Sequence, residues 1–474
     1  MASLDIINFG VGHQSAIDTP ATTMTALIIA DGEGRIENNV NFQELKTHGA
    51  AWGTGFYPDV FHGEAEIPLK VASIDNGMGD ILTSVFTESV AGGVQPEGAS
   101  TTKNHRFTAP LAPKGEFLTI WGQYQTGDGN TNADVLMDAI MSKLSIKWGS
   151  PSDPLLTAVA TMVGSHVEDE DGDDFSGTAW ASALGAIVNL SIANQCKQLR
   201  RQDAFLYVAD DAAEINTRFG GMTFDIDLNV NTGDEAFKPA GRDYAFEACM
   251  GKGCSAVLKF TGDVESPEDF RFPWGSAASG TCPEDTYAYQ QPCPGYVPVT
   301  FGCWGPSIEK VVETPAREIA ATGSPTNLPT PGGTYTGDKT LTYYVEVTTV
   351  GTLDPDSPGE FKWWTVEDLG DGGATSAETT EVAMTGAAQT LSNGVTITWT
   401  ATAEGCTIAD QYAFVAGNYR HGFKVTIPYA QVTQVKKKHG DRLGSEWEIK
   451  AFAPPGTAPF TIDWQNTLAT AYDA

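Results

Sequence analysis

The chain reads as a mainly β, antiparallel protein, and three observations carry that reading. Met222, Phe224, Ile226, Leu228 and Val230 alternate with Thr223, Asp225, Asp227, Asn229 and Asn231, the period-two pattern of a strand with one buried and one wet face. Beyond the turn-forming NTGDE and PAGRD segments, Cys254, Ala256, Leu258 and Phe260 alternate with Ser255, Val257, Lys259 and Thr261. The two runs form a long antiparallel pair, not the continuous apolar run of a buried parallel strand. The composition agrees: 51 Gly and 26 Pro, with abundant Thr, suit turn-rich sheet better than helix.

At 474 residues the chain is long enough for two or three domains. Its 28 Lys and Arg stand against 60 Asp and Glu, a net charge of −32, which favours solubility and argues against a protein that grips nucleic acid. The start, MASLDIINFG, has neither a basic segment nor a sustained apolar one, and no later stretch reaches the length of a membrane span. The expected product is soluble and made in the cytoplasm. The seven cysteines show no CxxC or Cys/His spacing, and most are read as reduced core residues in preference to a disulfide framework.

Taken in order, residues 1–77 are short apolar runs between Gly, Asn and Asp turns. MGDILTSVFTES, with Ile81, Leu82 and Val85 on one side, is the best short amphipathic helix. Phe117 to Tyr124 reads as a strand. Leu144, Ile146 and Trp148 then oppose Ser145 and Lys147, and a Pro151/Pro154 turn leads into the strand DPLLTAVATMVG. The pair at 141–164 parallels the pair at 222–262 and points to an internal duplication. WASALGAIVNLSIANQCKQLRRQ fits helix by length and strand by its Gly185 and β-branched centre. A long irregular loop follows Asp263, VPVTFGCWGPSIEKVVETPAR returns to strand, and TGSPTNLPTPGGTYTGD marks a boundary. From Tyr335 to Phe414 short strands recur at sandwich-like spacing, as an independently folding sandwich set into a loop of the host. HGFKVTIPYAQVTQV and SEWEIKAFAP, joined by a basic turn KKKHGDRLG, close the chain.

No residue pattern proposes catalysis. GKGCSA at 251–256 matches GxGxxA but opens no helix, so a glycine bulge explains it better. HExxH, GxSxG and paired metal spacings are absent from the sequence. VEDEDGDD offers Asp169, Asp171 and Asp173 as calcium candidates, but Val167 and Thr178 stand where the first ligand and the bidentate Glu belong. The default is a solvated acidic loop, and no cofactor or metal is expected. Of Trp363 and Trp364, one is assigned to a sandwich core and one to its edge.

The strand-and-turn series resembles the tail tube proteins of long-tailed, siphovirus-type bacteriophages. The elements are MGDILTSVF, MSKLSIKW with LLTAVATMVG, FDIDLNVN followed by PAGRD, GCSAVLKFTGD, and FKVTIPYAQV with WEIKAFAP. Residues 333–418, with YTGDKTLTYYVEV, FKWW and LSNGVTITWTA, resemble Ig-like or flagellin-like decoration domains, though Ala409-Asp410 replaces their usual Gly-Asp. The resemblance implies a two-lobed antiparallel β-sandwich or partial-barrel fold with a short helix flanking each lobe. Its lobes would be 1–175 and 176–320 with 419–474, and its Ig-like sandwich 333–418.

It further implies a structural virion protein without enzymatic activity. Such subunits join into rings that stack into a hollow tube for DNA and the tape-measure protein, with tail terminator and baseplate or tail tip proteins as further partners. A ring of three two-lobed copies is expected, a hexamer being the runner-up, assembled in the host cytoplasm and residing in the virion without contact to membrane. Asp225, Asp227, Asn229 and Asn231 are the candidate lumen-facing residues, meeting DNA phosphate with like charge and neutral amides so that the genome passes without specific binding. Lys436, Lys437 and Lys438 are the candidate inter-ring contacts. The alternative is a secreted or surface carbohydrate-binding β protein or adhesin.

Overall fold

The computed structural model describes residues 6–17, 19–21, 24–27, 34–45, 55–70, 77–88, 95–96, 98–109, 116–125, 131–150, 153–170, 199–208, 219–231, 249–250, 254–263, 297–320, 328–351, 358–368, 373–399, 407–439, 443–469 and 471–472. The chain opens with β1 (Ile6–His13), β2 (Thr25–Leu27), β3 (Arg35–Leu45), β4 (Gly55–Lys70), α1 (Met78–Thr83), β5 (Thr87–Glu88), β6 (Lys103–Thr108), β7 (Leu118–Gln125), β8 (Thr131–Ser150), β9 (Asp153–Gly164) and β10 (Val167–Glu170). It continues with β11 (Ala204–Val208), β12 (Phe219–Asp227), β13 (Val230–Asn231), β14 (Cys249–Met250), β15 (Ser255–Asp263), β16 (Val297–Val312) and β17 (Arg317–Ala320). Then come β18 (Thr330–Gly333), β19 (Leu341–Thr349), β20 (Glu360–Glu367), β21 (Val382–Ala383), β22 (Gln389–Thr390), β23 (Val395–Thr398), β24 (Gln411–His439), β25 (Leu443–Ala451) and β26 (Thr461–Asn466). The protein is mainly β, its sheets are antiparallel, and they do not close into a barrel.

Six pairings occur twice, strand for strand. In the first part of the chain β1 pairs β7, β3 pairs β4, β4 pairs β9, β7 pairs β8, β8 pairs β9 and β8 pairs β10. Substituting β11, β12, β15, β16, β24, β25 and β26 for β1, β3, β4, β7, β8, β9 and β10 reproduces the set. The repeat is therefore real at the level of topology, but its partners differ from those the alternation pattern matched. The hairpin at 141–164 corresponds to β24–β25, and the hairpin at 222–262 to β3–β4. Alternating polarity cannot tell one half-buried hairpin from another.

The long strands β8 and β24 each serve two sheets. β8 lies against β7 and β10 along its first half and against β9 along its second. The change falls at Asp138, buried and in the left-handed region at φ 52°. One core fills the space between the sheets of both repeats. Trp148 of β8 touches Phe301 and Phe423 at ring-centroid distances of 5.8 Å, and Phe224 of β12 touches Phe301 at 4.9 Å.

A second, smaller core is built from Tyr335, Tyr343, Val345, Phe361, Trp399, Tyr412 and neighbouring side chains. It lies between the sheet β17–β24–β19–β20–β21 and the three-stranded sheet β18–β23–β22. No linker separates it from the host on its C-terminal side, because β24 runs through both cores, with Tyr412 and Phe414 in one and Phe423 and Val425 in the other. Trp363 packs against this core, whereas Trp364 lies on the opposite face, stacked on Tyr344 at 5.5 Å.

Two further expectations change. Helix α1 has six residues, all buried, so it is a core plug and not an amphipathic helix. Cys254, expected on the buried face, is exposed, while Cys303 is buried, and neither forms a disulfide. The segment WASALGAIVNLSIANQC, read as helix or strand, and the irregular loop at 264–296 lie outside the described residues, and with them the expected helix of the second lobe.

Candidate functional site

The site is the wet face and the two free edges of the sheet through β8, β12, β15, β25 and the end of β24. Alternation decides what stands there. Leu144, Ile146, Trp148, Met222, Phe224, Ile226, Ala256, Leu258, Phe260, Trp447 and Ile449 point into the core. Their in-between neighbours point out, and the register sets them opposite one another. Asp225 faces Ser145 on one side and Val257 on the other, Asp227 faces Lys143, and Thr223 lies between Lys147 and Lys259. Farther along, Lys259 faces Glu448, Thr261 faces Glu446, and Glu446 faces Lys436.

This face is balanced, not acidic. Lys143, Lys147, Lys259, Lys436 and Lys450 stand among Asp225, Asp227, Glu446 and Glu448, in a chain whose net charge is −32. Asp225 accepts a 2.6 Å hydrogen bond from Ser145 Oγ and lies 3.6 Å from Lys259 Nζ; Asp227 lies 3.5 Å from Lys143 Nζ. Such half-exposed pairs are worth at most about 1 kcal/mol each, so they set register and local charge more than stability. Where Gly220 and Gly221 leave the strand without side chains, a depression of about 700 Å³ opens, ringed by Lys147, Lys259, Lys436, Glu446 and Glu448.

The four residues expected on one face part company. β12 ends at Asp227. Asn229 takes the left-handed region at φ 46°, its backbone N–H bonded to Asp227 Oδ1 at 2.9 Å, and Asn231 belongs to the separate two-stranded ladder β13–β14. The alternation survives this break because a turn residue can keep the polarity pattern while leaving the strand. Lys436, Lys437 and Lys438 are not in a turn; they are ladder residues of β24 opposite Glu446, Ser445 and Gly444. Asp169 lies in β10 opposite Asp134, and Asp171 and Asp173 lie outside the described residues.

Two further clusters of polar side chains stand out. Ser165 Oγ lies 2.9 Å from His166 Nδ1, and His166 Nε2 lies 3.2 Å from Glu168, an arrangement with the outline of a hydrolytic triad. It does not work as one. Ser165 is buried, and its single hydroxyl proton goes to Asp138 Oδ2 at 2.8 Å, so His166 can only donate to that oxygen and cannot act as its base. His105 and Glu88, 2.8 Å apart and fully buried, receive the chain end, with Tyr472 N–H on the same carboxylate. Among the described residues no three His, Cys, Asp or Glu side chains are placed to hold a metal ion.

No family model matches the chain, and no curated protein matches it either.

Met222–Asp227 of β12 pairs antiparallel with Lys143–Trp148 of β8, along the edge of β8 that faces away from β9. The equivalents of these two partners are β3 and the end of β24. Among the described residues, β3 pairs only with β4, and residues 431–439 of β24 pair only with β25. Each therefore carries, among the described residues, a row of backbone donors and acceptors without a ladder partner.

A polar band separates the two cores. Glu309 of β16 accepts from the backbone N–H groups of Ser100, Thr101 and Thr102 at 3.1, 2.8 and 2.6 Å. Burial alone would raise its carboxyl, but these bonds outweigh that and bring it down to about 2. Across from it, burial and then the charges of Glu313 and Glu309 push Tyr419 up to about 12.

Proposed function

We propose that the chain is a structural subunit that assembles with copies of itself into stacked rings forming a hollow tube, the tail tube of a long-tailed bacteriophage. The observation that carries this reading is the repeated strand order, joined inside the chain by β8 and β12 and left open at the two equivalent edges. A sheet that ends on such edges propagates when a second copy brings the complementary edge, and closure into a ring consumes both. Three copies supply six repeats, which favours a trimeric ring over a hexamer. The subunit is not an enzyme in this reading, and it belongs to the virion, where the tape-measure protein, the tail terminator and the baseplate or tip proteins are its partners.

The wet face lines the bore, in this proposal, and lets DNA pass without holding it. Three of its lysines already have carboxylate partners, Lys143 at Asp227, Lys259 at Asp225 and Lys450 at Glu448, which weakens their hold on phosphate. Exchanging Asp225 and Asp227 for Lys should leave tubes intact and slow genome ejection; unchanged ejection would remove the face from the bore. The second reading, carbohydrate binding, draws on the Tyr344–Trp364 stack with Lys362 Nζ 5.9 Å from the Trp364 ring. Negative-stain microscopy separates the two: tubes or stacked rings support assembly, and dispersed monomers that bind sugars support the second.

A further inference from the structure

We infer that the ring contact repeats the internal joint, so that β3 of one copy pairs antiparallel with residues 434–438 of β24 in the next, with Glu37 opposite Lys436. The inference rests on the tube reading and adds to it the partner strands and their register.

The register comes from matching the two repeats residue by residue. In the β8·β9 and β24·β25 ladders one strand slips its register, between Met141 and Lys143 in the first and between Val432 and Gln434 in the second. Aligning these irregularities sets Lys143 with Gln434 and Ser145 with Lys436. Met162 then matches Ile449, because these face Met141 and Val432, and Ala65 matches Leu258 across the next pair. Ile36, opposite Ala65, thereby matches Phe224, opposite Leu258, so that Glu37 matches Asp225 and Asn39 matches Asp227. Inside the chain Asp225 stands opposite Ser145 and Asp227 opposite Lys143. Carried to the open edges, the same rule sets Glu37 against Lys436 and Asn39 against Gln434.

The side chains at these places are suited to the contact. Ile36 is buried as Phe224 is, which fixes the wet face of β3 as the one bearing Arg35, Glu37 and Asn39. Lys436 is exposed, and no ion pair holds it among the described residues. Glu37 is already 3.1 Å from Arg35, with 45% of its side chain exposed, so a second cation can reach it without breaking a buried contact. A cross-strand Glu–Lys pair favours this register, whereas a slip of one residue would turn Ile36 toward water.

The test is a cysteine pair, E37C with K436C. Residues directly opposite in an antiparallel ladder have Cα atoms about 4.5–5.5 Å apart, inside the disulfide range. Mild oxidation of assembled protein should give covalent oligomers on a non-reducing gel, ending at the number of copies in the ring. Each single variant should show only the background that the chain's own seven cysteines give in the unsubstituted protein. A charge exchange makes an independent check: E37K and K436E should each raise the concentration needed for assembly about five-fold, and the double exchange should restore it. Tubes that form but fail to cross-link at this pair, with no rescue by the exchange, would overturn the register and leave the tube reading standing. Protein that forms neither rings nor tubes would overturn both.

Discussion

β8 and β24 hold the same place in two copies of one strand order, yet their second halves are used differently. Among the described residues, Lys143–Trp148 of β8 has β9 on one side and β12 on the other, while residues 431–439 of β24 have β25 alone. The first halves differ in the opposite sense, since only β24 extends past its host core into a second one. One strand is completed inside the chain; the other, among the described residues, is extended at one end and has a single neighbour at the other. Among the described residues the two copies of the fold form only one of their two mutual joints, and the proposed ring assigns the other to the next chain.

Substitutions on the two halves should separate these roles, the largest effect falling on the completed one. Trp148→Ala opens a cavity against Phe301 and Phe423 and should cost about 3–5 kcal/mol in denaturant unfolding of the monomer. Lys436→Ala, on the open half, should stay within about 0.5 kcal/mol in the same assay while weakening assembly. A large monomer loss at Lys436 would mean that the edge is already engaged.

Glu309 tests the end of β24 that β8 lacks. Its folded pKa lies below the ordinary value of 4.5, so the stabilisation is complete above that value and is lost as pH falls toward about 2. Glu309→Gln should cost roughly 1 kcal/mol at neutral pH, solvent screening holding it there, and should flatten the pH dependence of unfolding between those values. Smaller still, Asp225→Ala and Lys259→Ala should each shift stability by at most about 0.5 kcal/mol, with little further loss in the double variant, because the pair is half exposed. Excising the unit at 333–417 should leave host unfolding cooperative and tubes intact, because the buried residues of the larger core lie outside that interval.

Much of the fold was legible because alternation survives in strands with one wet face. The β12–β15 pair, the β8–β9 hairpin and the short strands of the second core could all be read that way. What could not be read is where a pattern stops being a strand, as at Asn229, and which hairpin matches which, since period two carries no identity. Nor could charge balance be foreseen. A total of −32 suggested an acidic face at Asp225 and Asp227, but cross-strand register brings lysines from β8, β15 and β24 to that face, and register is set by pairing rather than by composition. Ser165 and His166 adjoin in the sequence, but the carboxylate that takes the serine proton, Asp138, lies 27 residues earlier on β8 and no spacing announces it.

The central claim, that the open edges of β3 and β24 pair between copies as β8 and β12 pair within one, is met most directly by amide hydrogen exchange on monomeric and assembled protein. Amides of Met222–Asp227 should be protected equally in both forms, and those of 35–39 and 434–438 should gain protection only on assembly. Equal exchange of the two edge segments in monomer and tube would contradict it.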